Sequence, residues 1–244
     1  MDSGFYAACA GLRAQTQALE VAGHNLANLN TAGFRGQQTT FQSLVVSSGP
    51  PLANALNLAT NDFGVLEGTH LDLTSGNLQA TGNPLDVGIE GPGFFAVQTA
   101  RGTRYTRSGG FQVSPNGQLV TGGGDPVLGA SGPITLPAGA VSIASDGTLS
   151  VNGAVAGSLQ LFEFAPGTNL SAEGGALISA PAGTAQPAKQ SGVQQGVLEA
   201  SNVNSIASVV SLIGVQREAE MMQRAMSLFD SEFDHIAAND LAKV

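Results

Sequence analysis

Apolar and small residues return every three or four positions at both ends of the chain, and every second position in part of its middle. At the N-terminal end Phe5, Ala8, Leu12, Leu19, Ala22, Leu26 and Leu29 follow an alternating three–four spacing, with Gln15 completing the series. This is the spacing of a coiled-coil seam and predicts one long helix over residues 3–30. Asp2 or Ser3 can cap its start, and Gly33 stands where such a helix would stop. Near the other end Leu212, Val215, Ala219, Met222, Met226, Phe229, Phe233 and Ile236 repeat the spacing. They predict a second helix over 205–237, capped by Asn204, with Ile206, Val209, Val210 and Ile213 widening its apolar face. Each seam spans roughly 40–50 Å at the helical rise.

Between the helices the period changes to two. Leu85, Val87 and Ile89 alternate with Asp86, Gly88 and Glu90, as in a strand. Asn116-Gly117, Asp146-Gly147 and Asn152-Gly153 are hairpin signals between strand-like runs. Residues 158–164 read as a further strand. Residues 166–195, rich in Gly, Ala, Ser and Pro, read as loop, and 36–80 as an extended connector with a short strand or two. The predicted fold class is α+β: long N- and C-terminal helices pairing as a coiled-coil-like assembly domain, with an inserted, mostly antiparallel β-domain. The expected boundaries are 1–35 for the first helix, 36–80 for the connector, 81–195 for the β-rich domain and 196–244 for the second helix.

Two lone helices of this kind are poorly stabilised. Each large seam side chain contributes roughly 1.5–3 kcal/mol on burial, while ordering each residue's backbone costs about 1–2 kcal/mol. Neighbouring copies can cover the remaining faces. Close helix–helix approach would account for Gly23 and Gly214, which each cost about 1 kcal/mol inside a helix. The periodicity is equally compatible with an intramolecular helix pair packed on the β-domain.

Composition narrows the function. Charged residues are 11% of the chain, against an average of about 25%, the net charge is -9, and glycine is abundant at 33 residues. An acidic chain without a basic stripe is a poor ligand for a phosphate backbone, so nucleic acid is not an expected partner. The positive cluster Arg101, Arg104 and Arg107 reads as surface or intersubunit ion pairs rather than an anion site. The single cysteine, Cys9, excludes an internal disulfide and reads as a small filler on a helix. The start of the chain has no secretory pattern, and no run of about 18 apolar residues is present. The chain is therefore expected to stay in the cytoplasm or to leave by a route without signal cleavage, and not to insert directly in a membrane.

The candidates for chemistry are weak. His24, His70 and His235 are scattered and match no metal-ligand spacing. Gly122-Gly123-Gly124 lacks the residues of a phosphate loop, and Ser108 is not in a nucleophile elbow. Asp86 and Glu90 share a face of a predicted strand, and surface charge is favoured over an acid–base pair. No catalytic, metal or cofactor site is expected.

Four blocks of sequence resemble one family. Asn25, Leu26, Ala27, Asn28, Thr31, Gly33, Phe34 and Arg35 are similar to the N-terminal signature of the bacterial flagellar rod and hook axial proteins. Gly91, Gly93, Phe94 and Phe95 resemble its G-x-G-F-F turn. Tyr105, Thr106, Arg107, Gly109 and Phe111 resemble its Y-T-R-x-G-x-F strand, followed by Gly117, Leu119, Val120 and Thr121. Leu198, Glu199, Ser201, Asn202 and Val203 resemble the L-E-x-S-N-V lead-in, and Gln216-Arg217 the Q-R pair of the last helix. Ala219 departs from the aromatic that many members carry. The short connector resembles the proximal rod type first and the distal type next.

The resemblance implies a self-assembling structural subunit of the basal-body rod, not an enzyme. It implies export through the flagellar type III apparatus without cleavage and polymerisation in the periplasm into a helical tube. That tube surrounds the export channel and transmits torque. The implied partners are copies of the chain, other rod and hook proteins and, during secretion, the export apparatus. The implied assembly interface comprises Phe5, Leu12, Leu19, Leu26, Leu29, Leu212, Val215, Met222, Met226, Phe229, Phe233 and Ile236. The alternatives are a β-rich surface adhesin or glycan-binding protein, and a hydrolase using Asp86 and Glu90.

Overall fold

The computed structural model describes residues 2–42 and 65–241. The fold is α+β: α1 at Asp2–Ala27, nineteen strands among the described residues, and α2 at Ser205–Leu241. Contacts divide the chain into two units. A helical unit holds α1 up to Leu26, Gln37–Gln42, Val65–Thr69 and α2; a β unit holds residues 27–36 and 70–204.

In α1 the most buried line runs through small residues, Gly11, Ala14, Ala18 and Ala22, while Leu12, Gln15, Leu19 and Leu26 are half-buried beside it. The deepest line is thus offset from the leucine spacing, because small side chains leave little surface to expose. The helix also ends three residues earlier than predicted, so Leu29 lies beyond it, in a turn of the β unit. A Cβ added at Gly23 or Gly214 would meet nothing within 4 Å among the described residues, so close approach among them does not explain either glycine. The side chains of Phe5, Phe229, Phe233 and Ile236 lie outside the described residues.

Two opposite faces distinguish α2. Ser208, Leu212, Val215, Ala219, Met222 and Met226 are half-buried at alternating spacings of four and three. Every other described side chain of the helix is exposed. At about 100° per residue, Ile206, Val210 and Ile213 centre roughly half a turn away from that line. They are apolar yet in water, Ile206 77% and Val210 65% exposed.

The β unit is built from short antiparallel pairings. Its largest sheet has six strands, in the order 171–172, 177–179, 102–106, 94–99, 161–163, 186–187. Phe94–Thr99 has apolar residues on both faces, so it serves two clusters. Phe95 and Val97 join Val87, Phe111, Leu119, Val127 and Leu149 in the main core, while Phe94 joins Leu170 and Ile178 on the other side. All three hairpin signals are turns. At the tightest, Val151 pairs with Ala154 and both Asn152 and Gly153 have positive φ, the two-residue geometry matched to strand twist.

Two segments differ from expectation. Residues 166–195 are not loop throughout: Ser171–Ala172, Leu177–Ser179, Gln186–Pro187 and Gly192–Gln195 are strands. Leu177 and Ile178 pair with Thr106 and Tyr105, so partners about 70 residues away impose a strand that local composition disfavours. The run 158–164 is divided between the end of Ala154–Ser158 and the strand Leu161–Glu163. The predicted connector holds Gln37–Gln42, Val65–Leu71 and Leu78–Ala80. Its residues 43–64 lie outside the described ones.

Candidate functional site

The strand Val197–Glu199 pairs with Leu78–Ala80 and alternates, Val197 and Glu199 inward with Leu198 half-exposed between them. A carboxylate is thereby carried into the β unit, where Glu199 is 1% exposed. Burying a charge is costly unless it is paired and hydrogen-bonded, and here it is both. Oε1 accepts from Arg35 Nη2 at 2.7 Å and from the Gly76 amide at 2.7 Å. Oε2 accepts from Arg107 Nη1 at 3.1 Å. Arg107 also donates through Nη2 to the Gly91 carbonyl at 2.5 Å, and its guanidinium lies 4.9 Å from the centre of the Phe94 ring, a cation–π distance. Burial pulls the Arg107 pKa down to about 10; Glu199 opposes that shift and Arg35 adds to it. The group stays charged at neutral pH.

Two guanidiniums thus share one carboxylate, leaving Arg35 Nε, Arg35 Nη1 and Arg107 Nε without hydrogen-bond partners. A carboxylate saturated by donors fixed in the chain is a tie rather than a base. It joins segments far apart in sequence: residues 33–36, 76, 107 and 199.

Signature residues complete the joint. The Gly33 amide donates to the Glu199 carbonyl at 2.7 Å, and the Gly36 amide to Asn202 Oδ1 at 2.8 Å. Asn202 Nδ2 donates to the carbonyls of Asp72 at 2.9 Å and Thr74 at 3.0 Å. Thr31 Oγ1 donates to Asn28 Oδ1, closing the turn that follows α1. Gly33 has φ +66°, and a Cβ there would lie 2.2 Å from the backbone of both Arg107 and Ser108. It is required for close approach as well as for ending the helix. Gly33→Ala is therefore expected to cost about 2–5 kcal/mol, strain at a positive φ adding to overpacking. Thermal melting of the purified variant checks this.

The other predicted residues are placed as follows. Gly93 is buried and donates to Ser191 Oγ at 2.7 Å, while Gly91 is exposed. Phe95 stacks edge-on with Phe111 at 5.0 Å, linking two signature blocks. Asn25 belongs to the helical unit, where its side chain exchanges two hydrogen bonds with the Gln37 backbone. Gln216 and Arg217 are exposed on α2. The arginine cluster is divided. Arg101 and Arg104 pair with Glu173 at 3.2 and 2.9 Å, and the hydrogen bond from Arg104 holds that carboxyl below its ordinary range. Arg107 belongs to the buried joint instead. Asp86 is buried rather than a surface charge, accepting from Thr81 Oγ1 and Asn83 Nδ2, whereas Glu90 is exposed. The two therefore form no acid–base pair. Cys9 is half-buried on α1. Among the described residues no group of three His, Cys, Asp or Glu side chains could hold a metal ion, and no helix is long and apolar enough to cross a membrane.

Arg35, Arg107 and Glu199 stand in separate sequence motifs, which do not by themselves reveal that the three side chains meet. The available signal was three charges set among glycines and apolar residues, G-F-R-G, Y-T-R-S-G-G and V-L-E-A.

The same blocks are what known proteins share with this chain. The family model for the flagella basal body rod protein matches residues 5–35. That for the flagellar hook protein FlgE/F/G D1 domain matches 88–151, and that for the C-terminal region of flagellar basal body rod FlgEFG proteins matches 194–237. The flagellar basal-body rod protein FlgF of Mesorhizobium japonicum is 36% identical over 226 residues, 90% of each chain. FlgF of Escherichia coli is 36% identical over 250 residues, 94% of this chain and 95% of its own. The rod protein FlgG of Bacillus subtilis is 34% identical over 253 residues, 94% of this chain and 96% of its own. The three matched regions contain Arg35, Arg107 and Glu199 in turn, and the likeness to these relatives covers 90% or more of the chain: this chain belongs to the flagellar basal-body rod protein family.

Proposed function

We propose that the chain is a structural subunit of the flagellar rod, of the proximal type, in which α1 and α2 pair and pack against neighbouring copies and other axial proteins. The observation that carries this reading is the pair of opposite faces on α2. A helix apolar on two sides must be covered on two sides. The Leu212–Met226 line is half-buried within one chain, and the Ile206–Ile213 face is left to a neighbour. A heterologous contact of this kind, repeated by a rotation that does not close, generates a helical filament. Export by the flagellar type III apparatus and placement in the periplasm follow from the same family reading. The surface adhesin and the hydrolase have no support in the family.

A deletion strain tests the reading. It is expected to lack complete rods and to be non-motile, with recovery on return of the gene. Normal basal bodies in that strain would remove the proposal. Limited proteolysis of the purified subunit is expected to leave a fragment that retains both Phe34 and Asn202. The boundaries read from the sequence would place those cuts near residues 35 and 196, but residues 27–36 and 199–204 belong to the β unit. Mass spectrometry of the resistant fragment distinguishes the two outcomes.

A further inference from the structure

Residues 33–36 and 199–202 are joined to each other by four hydrogen bonds. The Gly33 amide donates to the Glu199 carbonyl, the Asn202 amide to the Phe34 carbonyl at 3.4 Å, the Gly36 amide to Asn202 Oδ1, and Arg35 to Glu199 Oε1. Backbone bonds also run from these residues to Asp72, whose amide donates to the Gly36 carbonyl at 2.8 Å, to Thr31, whose carbonyl accepts from the Phe34 amide at 3.3 Å, and to Asn77, whose carbonyl accepts from the Ala200 amide at 2.9 Å. The charge balance points the same way. Without Arg35, Glu199 and Arg107 make a neutral buried pair. Docking of residues 33–36 brings in a second guanidinium, whose desolvation must be offset by the Glu199 and Asn202 contacts.

We infer that this joint is a conformational latch, in which docking of the N-terminal segment 33–36 depends on the C-terminal segment 199–202 being in place. The main core of the β unit, from Val87 to Val193, contains no residue of 33–36. The latch has two states. In the closed state residues 33–36 and 199–202 lie side by side within the β unit. In the open state 33–36 is free while the core stays folded. A chain whose C-terminal segment is missing or displaced therefore holds its N-terminal segment loosely. Local opening of this kind, below the free energy of global unfolding, is read by amide exchange.

The test uses the full-length chain and two substitutions, Asn202→Ala and Glu199→Gln. The reporter is the Gly33 amide, whose acceptor is a main-chain carbonyl that neither substitution removes. The reference is the Leu119 amide, bonded to the Ile134 carbonyl at 2.9 Å in the main core. In Asn202→Ala the Gly33 amide is expected to exchange at least tenfold faster, with Leu119 changed less than twofold. Trypsin cleavage after Arg35 should quicken in parallel. In Glu199→Gln both amides are expected to lose protection, Gly33 by at least tenfold more than Leu119. Wild-type protection at Gly33 in both variants would overturn the latch. So would equal losses at Gly33 and Leu119, which would make docking inseparable from the fold.

Discussion

Glu199→Leu is expected to lower the melting temperature of the protein by roughly 6–20 °C, and Arg35→Met by much less. The asymmetry comes from counting charges at the joint. Glu199 is the one carboxylate between two buried guanidiniums, so removing it leaves two like charges facing each other. Breaking a buried pair by deleting one partner costs about 3–5 kcal/mol, and each kcal/mol is worth roughly 2–4 °C in a protein of this size. Removing Arg35 instead leaves Arg107 and Glu199 as a neutral pair, with Gly76 still donating to the carboxylate. Arg107→Met falls between the two, because it also removes the contact with Phe94 and the bond to the Gly91 carbonyl. Calorimetry on the three variants orders them. If Arg35→Met proves as damaging as Glu199→Leu, the charge count is not what governs the joint.

Val210→Asp is expected to abolish swimming while leaving the folded subunit intact. The side chain is 65% exposed in the single chain, so the new carboxylate is already in water there. Surface changes of this kind usually stay within about 0.5 kcal/mol. In the proposed filament the same carboxylate is covered in every copy, at several kcal/mol each. Met226→Asp on the opposite, half-buried face should also block assembly, but with a measurable cost to the subunit's own melting. Met226→Leu should be tolerated, since volume-preserving apolar exchanges usually cost under about 1.5 kcal/mol. Melting of the purified variants and motility of strains carrying them give the two readings. A Val210→Asp strain that swims on intact rods would remove the Ile206–Ile213 face from the interface.

The two helices were legible because a three–four apolar spacing has one simple solution in space. On α2 the half-buried positions Leu212, Val215, Ala219, Met222 and Met226 are the ones the spacing selects. On α1 the spacing follows leucines, whereas the deepest positions are Gly11, Ala14 and Ala18, whose small side chains carry little hydropathic signal. The turns at Asn116-Gly117, Asp146-Gly147 and Asn152-Gly153 were legible because their chemistry is local. The strands within 166–195 were not, because a partner such as Tyr105 is distant in sequence. The joint was illegible for the same reason. Arg35 meets Glu199 across 164 positions, and Arg107 meets it across 92. The Arg101, Arg104 and Arg107 series looks uniform until the fold separates it.

That separation gives the β unit two kinds of ion pair with different responses to the medium. Arg101 is 65% exposed where it meets Glu173, so dissolved ions reach that pair, and at 1 M salt the screening length shrinks to about 3 Å. The ion pairs at Glu199 admit no such ions, since the side chains of Arg35, Arg107 and Glu199 are at most 1% exposed. Raising the salt concentration should therefore loosen the rim around Glu173 while the tie between residues 33–36 and 199–202 keeps its strength.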